Sequence, residues 1–365
     1  MNIPKSVLDR LPTPCLFVDL PAADRNIERV ASVYRAHSVK LRPHFKAHKC
    51  TRLLHRQLEA GGCVGATCQT AAEALILADA GFSDVLLANQ TADPIALRDL
   101  ARAATRTRLT VAVDCAQHVE LLAAAIQATD SQLGVVIELD VGIGRCGLPV
   151  NSEHLVPLAK LVERTKGLTF RGLQAYEGHV VQREDEALRR TMLWQVAAQA
   201  RHERDRLQAA GIECELISGG GTGTWDLAAE TQILTEVQAG SYVLMDAKYA
   251  AIGLPFEPAL YVATRVISRR ERHAGVLNAG LKETTMEYGP PRSAEPGVSV
   301  VALSDEHTRV AVANSADPLI GDVLFLIPSH IDPTINLHDA LFVWDGAEDI
   351  ERWPVDGRRI TNDPS

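Results

Sequence analysis

Nowhere in the 365 residues is there an uncharged apolar run long enough to cross a bilayer, and the opening stretch MNIPKSVLDRLPTPC has no apolar export core. Membrane insertion is therefore excluded. Basic residues are also short: 37 Lys and Arg stand against 46 Asp and Glu, a formal net charge of -9, with a pI near 5.8. A general nucleic-acid binder needs a basic face for phosphates, so that class is excluded too. Closely paired cysteines are missing. The seven, at positions 15, 50, 63, 68, 115, 146 and 214, show no zinc-knuckle spacing, and an odd number without an export signal reads as free thiols in a reducing cytoplasm. Cys63 and Cys68 are read as two positions of one buried strand, not as ligands. Internal repeats, low-complexity tracts and long linkers are absent.

What is there is an alternation. Short apolar runs occur at 39–45, 63–68, 84–90, 109–114, 134–141, 168–177, 213–219 and 236–245. Between them lie segments such as TAAEALILADAG and EDEALRRTMLWQVAAQARHERDRLQAAG, whose apolar residues recur at three- and four-residue spacing, as in helices covering a sheet. The apolar runs barely alternate, as expected of parallel strands buried on both faces. Eight such units predict a (β/α)8 TIM-type barrel over 20–250, with an open doubly wound sheet as the alternative. After about residue 255 the runs ALYVATRVIS, HAGVLNAG, VSVVALSD, TRVAVAN, DVLFLIPS and ALFVWDG lose helical periodicity, predicting a smaller, mostly β domain formed by 1–19 and 251–365. TPCLFVDL precedes the barrel and is expected to pair with it.

A barrel presents its reactive groups at the C-terminal ends of its strands. There the sequence places Lys46 among His44, His48 and Lys49, and such crowding of positive charge disfavours the ammonium form and leaves a nucleophilic amine. Arg145 follows a Gly142-Ile143-Gly144 turn, positioned either to hold a phenolate oxygen or to pair with Asp140 or another carboxylate. Gly219 to Thr224 and Gly240-Ser241 are Gly/hydroxyl turns after strands seven and eight, where barrels often enclose a phosphate. In the β domain, His330 and Asp332 project to the same side if the preceding strand continues, and together suit a divalent ion. His338 and Asp339 read as a turn.

These motifs occur in a shared order: TPCLFVDL, LRPHFKAHK, ATCQTAAEA, ELDVGIGRCG, GLQAYEGH, SGGGTGT, TEVQAGSYVLMD and PSHIDPTINLHD. The whole resembles the D-threonine aldolase and D-serine dehydratase family of fold-type III pyridoxal-phosphate enzymes, relatives of alanine racemase. The resemblance implies that Lys46 anchors pyridoxal 5'-phosphate covalently and that Arg145 contacts the cofactor's phenolic oxygen. It implies that Gly221, Thr222, Gly240 and Ser241 hold the phosphate, that Tyr176 or Gln238 lies near the pyridine ring, and that His330 and Asp332 bind Mn2+ or Mg2+, or alternatively Zn2+. It further implies a homodimer whose active site lies between the barrel of one subunit and the β domain of its partner.

Dehydratases of this family tend to carry a cysteine after the His-Ile dipeptide, where this chain has Asp332, a harder ligand that favours an aldolase. Gly178-His179-Val180-Val181-Gln182 and the segment Lys282 to Gly289 depart from the family pattern and are candidates for lining the substrate pocket. The expected reaction is cleavage of a D-β-hydroxy-α-amino acid, such as D-threonine or 3-hydroxy-D-aspartate, to glycine and an aldehyde, with His179 or a metal-bound hydroxide as the base. A D-serine or D-3-hydroxyaspartate dehydratase is the first alternative, then a metal-free racemase, then a non-catalytic cofactor carrier.

Overall fold

The computed structural model describes residues 3–271 and 273–358. The chain divides into two units, Arg29–Lys46 with Leu53–Gly240, and Met1–Glu28 with Ala47–Arg52 and Ser241–Ser365. In the first unit eight strands make up the ring, β1 (Lys40–Leu41), β2 (Ala66–Cys68), β3 (Asp84–Leu87), β4 (Arg108–Val113), β5 (Leu133–Asp140), β6 (Leu168–Ala175), β7 (Leu216–Gly219) and β8 (Glu236–Val237), and a two-residue strand, Leu148–Pro149, pairs with β5 outside it. Each pairs in parallel with its neighbour, in the order β1-β8-β7-β6-β5-β4-β3-β2. Parallel bridges Leu41–Cys63 and His44–Thr67 then join the β2 segment back to β1. The ring closes, and the open doubly wound alternative falls.

Burial explains why the apolar runs hardly alternate: every residue of β2, β3 and β7 is buried. The connecting helices turn one apolar stripe inward. Leu97, Leu100 and Ala101 do so on Pro94–Ala103, and Leu155, Leu158, Ala159 and Val162 on Leu155–Arg164. Side-chain caps start two other helices of this unit, with Thr70 accepting from the Glu73 N–H at 3.2 Å and Asp185 from that of Leu188 at 3.0 Å. The strands β1 and β8 are shorter than their apolar runs. Pro43 has no N–H to extend the ladder, and the β8 run enters a 3-10 turn at Ser241–Val243.

The second unit is mostly β. Its strand Cys15–Asp19 corrects the expectation that TPCLFVDL pairs with the barrel. It lies antiparallel to Leu260–Glu271 and parallel to Ala340–Trp344. The cause is burial on both sides: all five residues are buried, and the Phe17 ring packs 5.0 Å from Phe325 and 6.2 Å from Trp344 between centroids. The six apolar runs of this region each supply a strand, and two further short strands, Arg292–Ser293 and Ile350–Pro354, complete the sheets. Cys63 lies outside the strand that holds Cys68, so the two do not share one strand. No disulfide joins any of the seven cysteines. No helix among the described residues is long and apolar enough to cross a membrane.

One buried charge cluster braces the ring. Arg42 donates to Asp84 at 2.8 Å and to Glu236 at 2.7 Å, linking the first residues of β3 and β8. Removing Arg42 leaves the Glu236 carboxylate buried without its ion partner, while Asp84 keeps Arg108, and breaking a buried pair typically costs about 3–5 kcal/mol. An Arg42→Ala variant should therefore show a markedly lower urea midpoint, and an unchanged midpoint would show that the cluster does not brace the fold.

Candidate active site

Lys46 occupies a 3-10 turn, Phe45–Ala47, directly beyond β1. It is half-buried, and its neighbours His44 and His48 are buried. The segment before it is tied on both sides: the Arg42 N–H donates to the Val237 carbonyl (2.8 Å), the His44 N–H to that of Ala239 (3.2 Å), and the Thr67 N–H to that of Pro43 (2.9 Å).

The turn after β5 is folded by Asp140, whose Oδ1 accepts the N–H groups of Gly142 and Gly144, both at 3.0 Å. The Gly144 bond, seconded by that of Gly142, holds this carboxyl below its usual range. Asp140 is thus occupied with backbone. The carboxylate facing Arg145 is Glu138, with Oε1 at 3.6 Å from the guanidinium, and the Arg145 Cζ lies 6.0 Å from the centroid of the Tyr176 ring. The far end of the turn is pinned by Asp114, which accepts the Gly147 N–H at 3.0 Å. Asp114, Cys115 and His118 bring three potential ligand atoms within 4.8 Å of one another. They already bond among themselves, with His118 Nδ1 at 3.1 Å from Asp114 and 3.3 Å from Cys115, and serve the turn that bears Arg145.

The Gly-rich turn after β7 is ordered by a residue to which the sequence reading gave no role. Glu177, completely buried, accepts the Gly220 N–H (2.9 Å) through one oxygen and the Thr224 hydroxyl (2.8 Å) through the other. Its only sequence signal was an acid at a strand end beside a Gly turn. The glycines themselves answer to packing: a Cβ on Gly223 would collide with the Val181 carbonyl, and one on Gly219 would fall 2.5 Å from that of Ala175. Close approach at these two positions is therefore to the chain's own backbone. Gln238 donates to Ser218 (2.8 Å) and Gln174 (3.3 Å), joining the ends of β8, β7 and β6. Gly221, Thr222 and Gly240 are buried in the same unit, and Ser241 opens the turn that follows Gly240.

His179 lies beyond β6, with Nε2 3.0 Å from where a Cβ on Gly142 would stand. Its Nδ1 is buried with no hydrogen-bond partner among the described residues. Burial, reinforced by the Arg183 charge, lowers its pKa below the ordinary 6.5, so its imidazole is neutral at neutral pH.

In the β unit the strand before His330 ends at Ile327, which corrects the continued-strand geometry assumed for the His-x-Asp element. A short helix, Ile331–Ile335, follows, with His330 at its N-cap position and Asp332 in its first turn. The two side chains still meet, with His330 Nε2 3.4 Å from Asp332 Oδ2. The other imidazole nitrogen, Nδ1, is 2.7 Å from Glu287, and the Tyr288 ring lies 4.9 Å from the imidazole between centroids. Buried Asp246 accepts the Ile331 N–H at 3.3 Å and the Tyr249 N–H at 2.8 Å, and burial raises its carboxyl to about 6. Thus the segment Lys282 to Gly289, expected at the substrate pocket, sends Glu287 to His330. His338 and Asp339 fall in a turn, as read.

Comparison with known proteins agrees with this layout. Residues 18–248 match the model of the alanine racemase N-terminal domain, and residues 259–344 match a serine dehydratase domain model. The chain is 40% identical to a D-threonine aldolase of Arthrobacter sp, covering 97% of this chain and 95% of the relative. It is 36% identical to a 3-hydroxy-D-aspartate aldolase of Paracoccus denitrificans, covering 95% and 92%. A D-threo-3-hydroxyaspartate dehydratase of Delftia sp. is 26% identical over 88% and 90%. Among solved structures, the D-threonine aldolase of Filomicrobium marinum superposes with a TM-score of 0.91 at 34% identity, covering 95% and 96% of the chains. The Delftia dehydratase gives 0.86 at 25%, covering 95% and 98%.

Deleting a doubly used buried acceptor costs about 1–3 kcal/mol. In Glu177→Ala, amide exchange across Gly219–Thr224 should accelerate roughly ten- to hundredfold by mass spectrometry, with β3 and β4 unaffected. Unchanged exchange in the turn would contradict the ordering role of Glu177.

Proposed function

The chain belongs to the alanine racemase-like family that includes the D-threonine aldolases, and from that premise we propose that it cleaves a D-β-hydroxy-α-amino acid, of the D-threonine or 3-hydroxy-D-aspartate type, to glycine and an aldehyde. The observation that carries the aldolase reading is the carboxylate of Asp332 at 3.4 Å from His330 Nε2. That separation is less than twice the ~2.0–2.2 Å bond from such atoms to a divalent ion, so one ion can take both. An imidazole and a carboxylate with no thiolate make a hard donor set, suited to Mn2+ or Mg2+, with Zn2+ also accommodated.

The donor chemistry of the barrel fits pyridoxal phosphate. Lys46 supplies the amine that carries it, Arg145 the cation for its phenolic oxygen, and Gly221, Thr222, Gly240 and Ser241 the lining for its phosphate, with Tyr176 and Gln238 beside the ring. When held by these residues, the cofactor would supply an electron sink for Cα and a divalent ion at His330 and Asp332 would supply acidification of the β-hydroxyl. The protein's own part is orientation and proton movement. Glu177 keeps the phosphate turn rigid, Asp140 and Asp114 hold the loop that aims Arg145, and neutral His179 takes the proton from the β-hydroxyl oxygen as Cα–Cβ breaks. The same family reading makes the partners a small D-amino acid and a second copy of the chain, in a reducing cytoplasm compatible with the free thiols.

The match of residues 259–344 to a serine dehydratase domain supports a second reading, elimination of the β-hydroxyl to give a keto acid and ammonia. Incubating metal-reconstituted protein with D-threonine, D-serine and 3-hydroxy-D-aspartate should yield glycine and aldehyde. Keto acid and ammonia as the sole products would establish the dehydratase instead. His179→Ala should retain cofactor absorbance while losing about 10²–10⁴-fold in turnover. Because the base acts only when neutral, activity should fall as pH drops through the lowered His179 pKa. The acid limb of the wild-type kcat/KM profile should lie below 6.5; full activity in His179→Ala would remove this residue from the reaction.

A further inference from the structure

The loop carrying Glu287 is fastened to the His330 turn at several points. The Thr285 N–H donates to Thr334 Oγ1 (3.2 Å), the Thr334 hydroxyl donates to the His330 carbonyl (2.8 Å), and the Ser329 hydroxyl donates to the Thr285 carbonyl (3.3 Å). Within the loop, the Glu287 N–H donates to Thr285 Oγ1 at 3.1 Å, which turns the Glu287 side chain onto the imidazole. The carboxylate meets Nδ1 at 2.7 Å while Nε2 faces Asp332. A carboxylate accepts only, so the proton between them belongs to Nδ1, and an ion taken up between Nε2 and Asp332 would replace the proton at Nε2 while leaving that at Nδ1 in place.

We propose that Glu287 is the positioning residue for the metal centre: through Nδ1 it fixes the tautomer and ring angle of His330, so that Nε2 and Asp332 Oδ2 take one ion together. This rests on the reading of His330 and Asp332 as the metal pair and adds to it the residue that holds the imidazole in register. Glu287 does not touch the ion. Its effect is exerted on the ligand, as for carboxylates that hydrogen-bond ligating histidines elsewhere, whose removal typically costs about 10–100-fold in metal affinity.

The test is Mn2+ binding to the cofactor-loaded protein, followed by electron paramagnetic resonance and calorimetry, in Glu287→Ala, Glu287→Gln, His330→Ala and wild type. Thermal unfolding and cofactor absorbance serve as controls for folding. Glu287→Ala should raise the Mn2+ Kd about 10–100-fold. Glu287→Gln keeps an acceptor oxygen without the charge and should fall between Ala and wild type, a graded rescue that a purely structural role of the loop does not produce. His330→Ala should abolish the site. If Glu287→Ala binds Mn2+ within twofold of wild type while His330→Ala does not bind, the positioning role is wrong and the metal pair stands. If Gln is no better than Ala, orientation of the imidazole is not what Glu287 supplies. If His330→Ala binds as wild type does, the metal pair itself is wrong, and this inference falls with it.

Discussion

The segment 42–44, which leads into the turn of Lys46, is held from both sides. β1 contributes two ladder residues, yet Arg42 and His44 donate to Val237 and Ala239, and the Pro43 carbonyl accepts from Thr67. These backbone bonds seam β8 to β1 and β1 to the β2 segment, and they close the ring. Without closure the ends of β1, β5, β6 and β7 would not face a common mouth, and residues as distant in sequence as 46, 145, 177 and 220 would have no shared chemistry. The buried Arg42 cluster supports the same seam with charge, since its two carboxylates start β3 and β8.

Rigidity at the mouth comes from acids used as acceptors. Asp140 takes two N–H groups of the turn after β5, Asp114 fastens that turn's far end, and Glu177 takes one N–H and one hydroxyl of the turn after β7. Charged acceptors make stronger bonds to N–H and O–H donors than neutral ones. A loop built this way holds its shape before any ligand arrives, which lowers the entropy to be lost when one does. The β unit repeats the device. Asp246 accepts the Ile331 N–H and so fixes the peptide between the two metal-ligand candidates.

Much of this was legible before the fold was known, and the limits are physical. Eight buried parallel strands announce themselves because burial on both faces suppresses alternation, and the six later runs announce a β domain by the loss of helical period. Lys46, Arg145 and the Gly turns could be placed at one mouth because barrel topology dictates which strand ends face it. What stayed hidden depended on partners distant in sequence. Nothing in TPCLFVDL says that its neighbours come from around residues 262 and 342 and not from the strand that follows it. The His-x-Asp pair was read from strand periodicity, whereas a helix cap brings the two groups together. The acceptor roles of Glu177 and Glu287 were invisible for the same reason. A glutamate looks solvated in sequence, and only the fold shows which amide, hydroxyl or imidazole it accepts from. The Gly-rich turn is visible in the sequence, but part of its glycine content serves the close approach of the Val181 and Ala175 carbonyls.

The aldolase and dehydratase readings ask opposite things of one oxygen. In carbon–carbon cleavage the β-hydroxyl loses its proton and becomes a carbonyl, so the group beside it must arrive without a proton. In elimination the same oxygen departs with its bonding electrons, and a neighbouring acid or a strongly polarising ion must help it leave. His179 is pushed toward its neutral form by burial and by Arg183, with the opposing pull of Asp140 too weak to reverse this. A proton-free imidazole suits the first task and hinders the second. Asp332 points the same way: a hard carboxylate beside His330 fits an ion that lowers the pKa of a hydroxyl while leaving its C–O bond intact, as against the softer thiolate–zinc pairing. Both features lie outside the residues assigned to pyridoxal phosphate. On the proposed reading, the choice between breaking carbon from carbon and carbon from oxygen would be made by groups such as these, and not by the residues proposed for the cofactor.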